Sequence, residues 1–426
     1  MVAPLSEYIA CPECDLINSV RDIPRGAKAK CRQCGAEVYR DIQNSTENAL
    51  WLSVAAAILI VLANCFPLLT FKLEGNEQAA SIVTGIKELY RAGFWQLAIV
   101  VALCSIGAPL VQIAISIYIF LGLRLNRTPK YLAPVFRIFV WLGPWAMMEV
   151  FLLGLIVAYV KLIDLATIVV GVAAYSFAAM IFVTTWLAAS IDPRVIWARL
   201  SATSAQTRPP FDSNSRISRM SYISCHACEE IVDKRKISET PEQAARCPRC
   251  HAVLHKRKPN SIARTWAFLI AAAICYIPAN VLPVMTVISF GDGAPNTILS
   301  GVQELIAAKM YPIAILVFIA SIFVPILKIC VLAYLLISLQ RGSTWRRRER
   351  TLLYRLTETF GRWSMLDIFM ISILAGLVQL GALATIEPGP GAIFFAAVVI
   401  LTMFSAASFD PRLIWDLKSN ERKQAV

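Results

Sequence analysis

Histidine is almost missing from this chain: there are three in 426 residues, His226, His251 and His255, and none falls in an apolar run. A bis-histidine haem carrying electrons across a membrane is therefore excluded. Charge is also scarce. Charged residues make up 16% of the chain and hydrophobic ones 57%, with a mean hydropathy of +0.61, which excludes a soluble globular protein. Acidic residues are the scarcer sign, 28 against 41 Lys and Arg. No G-x-x-x-x-G-K-[ST] stretch occurs, so ATP hydrolysis within this chain is not expected. The polar, cysteine-bearing N-terminus does not have the pattern of a cleavable signal peptide.

What is present is apolar length. Runs of roughly 20 apolar residues recur eight times, at 50–71, 95–120, 138–162, 168–190, 265–288, 312–339, 358–383 and 390–408, each long enough to cross a bilayer as a helix. Most Lys and Arg fall before the first run, at 124–137, 191–264 and 340–357, and after 408. That bias predicts a multi-pass membrane protein with both termini in the cytoplasm. The net charge of +13 is then topological, with anionic headgroups rather than nucleic acid as its partner.

The sequence repeats itself. Cys11-Pro-Glu-Cys14 and Cys31-Arg-Gln-Cys34 are separated by sixteen residues, and Cys225-His-Ala-Cys228 and Cys247-Pro-Arg-Cys250 by eighteen. Paired C-x-x-C knuckles suit a four-cysteine ribbon holding one zinc each; rubredoxin-type iron uses the same ligands. Disulfides are disfavoured on the reducing side of the membrane. Asn64-Cys-Phe-Pro67 returns as Asn280-Val-Leu-Pro283, and Ser105 and Pro109 return as Ser321 and Pro325, at an offset of 216. Trp145-Ala-Met-Met-Glu149 returns as Trp363-Ser-Met-Leu-Asp367, and Asp192-Pro-Arg as Asp410-Pro-Arg, at 218. The predicted fold is an all-α polytopic membrane protein of two parallel repeats, each a ribbon followed by four spans. Residues 1–49 form the first ribbon, 50–199 the first module, 200–222 a linker, 223–258 the second ribbon, 259–416 the second module and 417–426 a tail. Asn64, Pro67, Asn280 and Pro283 are expected to break helices near the outer face, and Pro109 and Pro325 to kink theirs.

Several motifs resemble the paraquat-inducible protein A family of bacterial inner-membrane proteins, including its LetA-like lipid-transport members. They are Pro278-Ala-Asn-Val-Leu-Pro283, Thr297-Ile-Leu-Ser-Gly301, Gly361-Arg-Trp-Ser-Met-Leu-Asp367 and Phe409-Asp-Pro-Arg-Leu-Ile-Trp-Asp416, beside the doubled ribbon. The resemblance covers nearly the whole chain. It implies a non-enzymatic role in moving phospholipid between inner and outer membranes, with a periplasmic MCE-domain partner.

The repeats differ where charge matters. Lys328 aligns with Gln112, Asp367 with Glu149 and Arg362 with Pro144. Arg362, near the start of its run, is expected to reach the headgroups, but Asp367 lies deeper and is too short to do so. At 1.5 Å per residue, Lys328 and Asp367 lie about 16 and about 14 Å from the same face, so the two are expected to pair. Ser364, Ser321 and Thr402 are placed to join them, with Glu149 a weaker candidate. The group is either a static packing pair or a protonatable relay. Two other functions compete with lipid transport: a membrane redox protein with iron ribbons, and a passive anchor for a periplasmic partner.

Overall fold

A computed structural model describes residues 8–19, 26–40, 42, 45–73, 76–125, 131–162, 167–194, 196–197, 222–233, 246–289, 292–378 and 384–416. The expected linker (apart from Tyr222), the tail and the Arg362 side chain lie outside the described residues. Among these residues, eight helices are long and apolar enough to cross a membrane. Spans 1 to 4 are Thr46–Cys65, Trp95–Arg124, Leu132–Lys161 and Val172–Ser190; spans 5 to 8 are Ser261–Val281, Tyr311–Gln340, Arg347–Leu377 and Pro390–Asp416. The fold is mostly helical, as the apolar runs require, because a helix satisfies its own backbone groups in lipid.

Two apolar runs stop being helix earlier than their hydropathy suggests. Span 1 ends at Cys65, where Asn64 turns its amide back to the Ile60 carbonyl at 2.8 Å and Pro67 offers no N–H. The chain then enters strand Leu69–Leu73, which pairs antiparallel with Asn76–Ala80 on one side and Thr167–Val170 on the other. The second half repeats this with Met285–Ser289 between Asp292–Asn296 and Ala384–Pro388. Two small three-stranded sheets thus cap the bundle end opposite the ribbons. Gly171 lies so close to the first break that a Cβ there would fall 2.1 Å from the Pro67 carbonyl oxygen, and one on Gly389 would fall 2.3 Å from that of Pro283.

The prolines in spans 2 and 6 act through widened turns. Leu103–Gly107 and Ile319–Phe323 are π-helical, just before Pro109 and Pro325. A proline ring collides with the carbonyl four residues earlier in a regular helix, and the wider turn relieves that contact. Spans 3 and 7 are broken by tight turns at Gly143–Trp145 and Gly361–Met365.

Packing is shared between the halves. Span 1 lies against spans 4 and 2, and span 5 against spans 8 and 6. The inner segment of span 7, Leu366–Leu377, is buried at every residue. It wedges between span 3 and a short helix of the first half, Ile82–Arg91. The ribbons also cross over. The first ribbon shares a core with Leu332, Leu336, Tyr354 and Trp415 of the second half. The second ribbon packs with Phe120, Phe136 and Trp197 of the first.

Candidate functional site

Asp367 occupies the first turn of the Leu366–Leu377 segment, which continues from the Gly361–Met365 turn. It is 3% exposed, and neither of its oxygens has a hydrogen-bond partner. Lys328, 2% exposed, comes from span 6, but it does not pair with Asp367. Its Nζ donates to Thr402 Oγ1 at 2.7 Å and, more weakly, to the Gly361 carbonyl at 3.4 Å. Thr402 in turn donates to the Val399 carbonyl at 2.9 Å. Gly361 opens the turn at Gly361–Met365 and lies so near the Lys328 head that a Cβ there would fall 3.4 Å from Nζ.

Of the other expected members, Thr402 therefore joins Lys328. Ser321 Oγ and Ser364 Oγ are buried and, like Asp367, without a partner. Ser321 is close enough to act on the Asp367 charge but makes no hydrogen bond with it within normal limits. Glu149, the counterpart of Asp367, is exposed. The repeat thus buries one carboxylate and leaves the other at the surface.

A cavity of about 30 Å³ opens beside Asp367, bounded by spans 3, 6 and 7 and by a second short helix, Ile298–Ala307. Its charged wall includes Lys161, near the end of span 3, which the sequence analysis did not single out. The signal was available: at the 218-residue offset Lys161 aligns with neutral Gln379. Glu304 and Asp367 are the carboxylates that act on its charge. Among the described residues, Lys161 makes no hydrogen bond or ion pair.

The eight cysteines expected to bind metal form two clusters, Cys11, Cys14, Cys31, Cys34 and Cys225, Cys228, Cys247, Cys250. In each, the four sulfurs lie within 4.8 Å of one another. The Cys11–Cys34 separation is 3.4 Å, and Cys14–Cys31, Cys225–Cys250 and Cys228–Cys247 are each 3.5 Å. Tetrahedral thiolates at about 2.3 Å from zinc stand roughly 3.8 Å apart, so both clusters could hold a metal ion with little movement. After the second cysteine of each knuckle the backbone turns left-handed, at Asp15, Gly35, Glu229 and His251. His251 is therefore a turn residue, and its N–H bonds the Cys247 carbonyl at 2.9 Å.

Ion pairs fasten the ribbons to the spans. Arg355 of span 7 reaches Glu13 at 2.8 Å and the Cys34 carbonyl at 2.9 Å. Burial pushes the Glu13 carboxyl up to about 7, with Arg355 pulling the other way. Arg257 bridges Asp15 at 2.8 Å and Asp416 at 2.6 Å, and Arg412 joins Asp410 at 3.0 Å to His226 at 2.9 Å.

Comparison with known proteins agrees with this architecture. Residues 46–201 and 262–418 both match the model of the family described as paraquat-inducible protein A. The chain is 33% identical to the lipophilic envelope-spanning tunnel protein A of Escherichia coli K12, over 97% of this chain and 92% of that protein. It is 32% identical to the intermembrane transport protein PqiA of the same strain, over 96% of each. A probable intermembrane transport protein of Haemophilus influenzae is 29% identical over 99% of each chain. No solved structure matches. Two copies of the matched unit, one per half and each beside a four-cysteine cluster, make this chain a member of the paraquat-inducible protein A family.

Proposed function

We propose that this protein is the inner-membrane component of a system that carries phospholipid between the inner and outer membranes, working with a periplasmic MCE-domain protein. The observation that carries this reading is the near-full-length match to relatives named for intermembrane transport. Both termini and both ribbons lie in the cytoplasm, a reading that the Lys- and Arg-rich segments on that side support. The sheets then face the periplasm and meet the partner. Each ribbon holds one zinc, whose role is structural: four thiolates close the coordination sphere and leave no open position.

Energy for transport comes from the proton gradient through Asp367. A carboxylate at bilayer depth is costly to keep charged, by about 2.5–3.5 kcal/mol on insertion scales, and this one has no hydrogen bond to offset the cost. Its protonation changes the charge inside the wedge that joins the halves. Lys328, bonded to Thr402 and Gly361, ties the turn ahead of that wedge to span 8.

Purification from native membranes tests the proposal. Mass spectrometry should find an MCE-domain protein and phospholipid bound, and metal analysis should find two zinc ions per chain. A preparation rich in iron, with a visible charge-transfer band and no lipid or partner, would contradict it.

A further inference from the structure

At the junction of the halves the repeat breaks its own symmetry. On one side the first short helix touches span 7 backbone to backbone. A Cβ built on Gly376 would fall 2.7 Å from Gly85 Cα, and one on Gly85 would fall 2.5 Å from the Ser372 carbonyl oxygen. By the repeat offsets, the same contact on the other side would join Gly301 to Ala158 of span 3. Ala158 carries a methyl where that contact leaves no room, and it is itself fully buried. Among the described residues, a Cβ on Gly301 would meet one neighbour within 4 Å, Lys161 Nζ at 3.7 Å. One seam is shut and the other is propped open, and the cavity beside Asp367 lies in the open one.

We propose that the open seam binds the phosphate of a membrane phospholipid, with Lys161 as its ligand and Asp367 as the anion that competes for Lys161. This rests on the lipid-transport reading above. Apart from Asp367, Asn296 and Thr297, the wall around the one ammonium is apolar, with Val284, Met285, Val317, Met370 and Ile371, which suits an acyl chain better than a hydrated inorganic ion. The second carboxylate near Lys161, Glu304, is engaged by the Asn296 amide at 3.3 Å, whereas both Asp367 oxygens are unpartnered. An ionised Asp367 therefore holds the Lys161 charge, and a neutral one releases it to a phosphate diester. The cavity of about 30 Å³ accepts a water or two. A headgroup enters as the second short helix moves off; among the described residues a Cβ on its Gly301 would come within 4 Å of a lysine side-chain end and of no backbone atom.

The test uses the full-length protein in nanodiscs containing phosphatidylethanolamine with a diazirine in its acyl chain, and maps cross-links by peptide mass spectrometry. Label is expected in 284–301 and 366–371 and not in 82–91. Lys161→Met should lower the seam label roughly tenfold, the loss of one charge-assisted contact. Lys161→Arg should restore it, and Asp367→Asn should raise it. Gly301→Leu, which fills the seam and leaves Lys161 in place, should abolish it. Unchanged label in Lys161→Met or Gly301→Leu, or equal label on the closed seam, would overturn the proposal. So would displacement of the label by millimolar inorganic phosphate, which would make free phosphate the ligand. Lipid transfer is read from the same preparations. Transfer without seam label removes this site and leaves lipid transport standing, whereas no transfer by the unaltered protein removes the transport reading itself.

Discussion

The Lys328 ammonium illustrates how a buried charge is made tolerable one bond at a time. Its acceptors are a threonine hydroxyl and a backbone carbonyl rather than a carboxylate, and removing either leaves a charged donor short of a partner. Thr402→Val should cost about 1.5–3 kcal/mol, the usual value of a hydrogen bond to a charged group. In a thermal-unfolding double-mutant cycle, Thr402→Val with Lys328→Met should show a coupling on the order of 1 kcal/mol. Asp367→Asn with Lys328→Met should be close to additive; strong coupling between those two would restore the ion pair that the geometry lacks. Asp367, Lys328 and Thr402 were legible in sequence as polar residues inside apolar runs. Their pairing was not, because depth counted along an unbroken helix cannot register the turn at Gly361–Met365. Lys161 escaped for a related reason: a lysine near a span end is ordinarily a flank, and only its reach back beside Gly301 makes it part of the site.

At the scale of elements, the two short helices separate a locked seam from an open one. Gly85→Ala and Gly376→Ala should each force backbone apart and destabilise the protein by roughly 1–3 kcal/mol. Gly301→Ala should be tolerated, since its methyl would meet the movable end of Lys161 at 3.7 Å. Comparing the melting temperatures of the three variants in detergent decides this; equal losses would mean that both seams are closed. The spans themselves were readable from hydropathy, and their breaks from Pro67, Pro283, Pro109 and Pro325. The capping sheets were not, because Leu69–Leu73 and Thr167–Val170 are apolar enough to pass for the ends of spans. The ribbons were read correctly as paired knuckles, but their exchange between halves leaves no trace in chain order. That exchange has a consequence: Cys11→Ser with Cys14→Ser should remove one of two metal ions and also loosen the second half around Arg355 and Glu13. Limited proteolysis should then cut near residues 341–347 faster than in the unaltered protein. An unchanged digest with one metal lost would show that the first ribbon does not brace span 7.

For the whole molecule, parallel repeats with an even number of spans put both ribbons on one side and both sheets on the other. The proposed orientation predicts that cysteines at exposed Ala79 and Pro295 react with a membrane-impermeant maleimide in intact spheroplasts, while one at Ser204 does not. The reverse pattern would turn the molecule over. The central proposal is that this membrane protein moves phospholipid and that its partnerless carboxylate in span 7 is required for the movement. The most direct measurement is the rate of labelled-phospholipid transfer from vesicles holding the protein with its co-purified partner to acceptor vesicles under an imposed proton gradient. The unaltered protein should transfer lipid at a rate that follows the gradient. Asp367→Asn, at equal protein level and with both metal ions and the partner retained, should fall to the protein-free background. Transfer by Asp367→Asn at the unaltered rate would contradict the account.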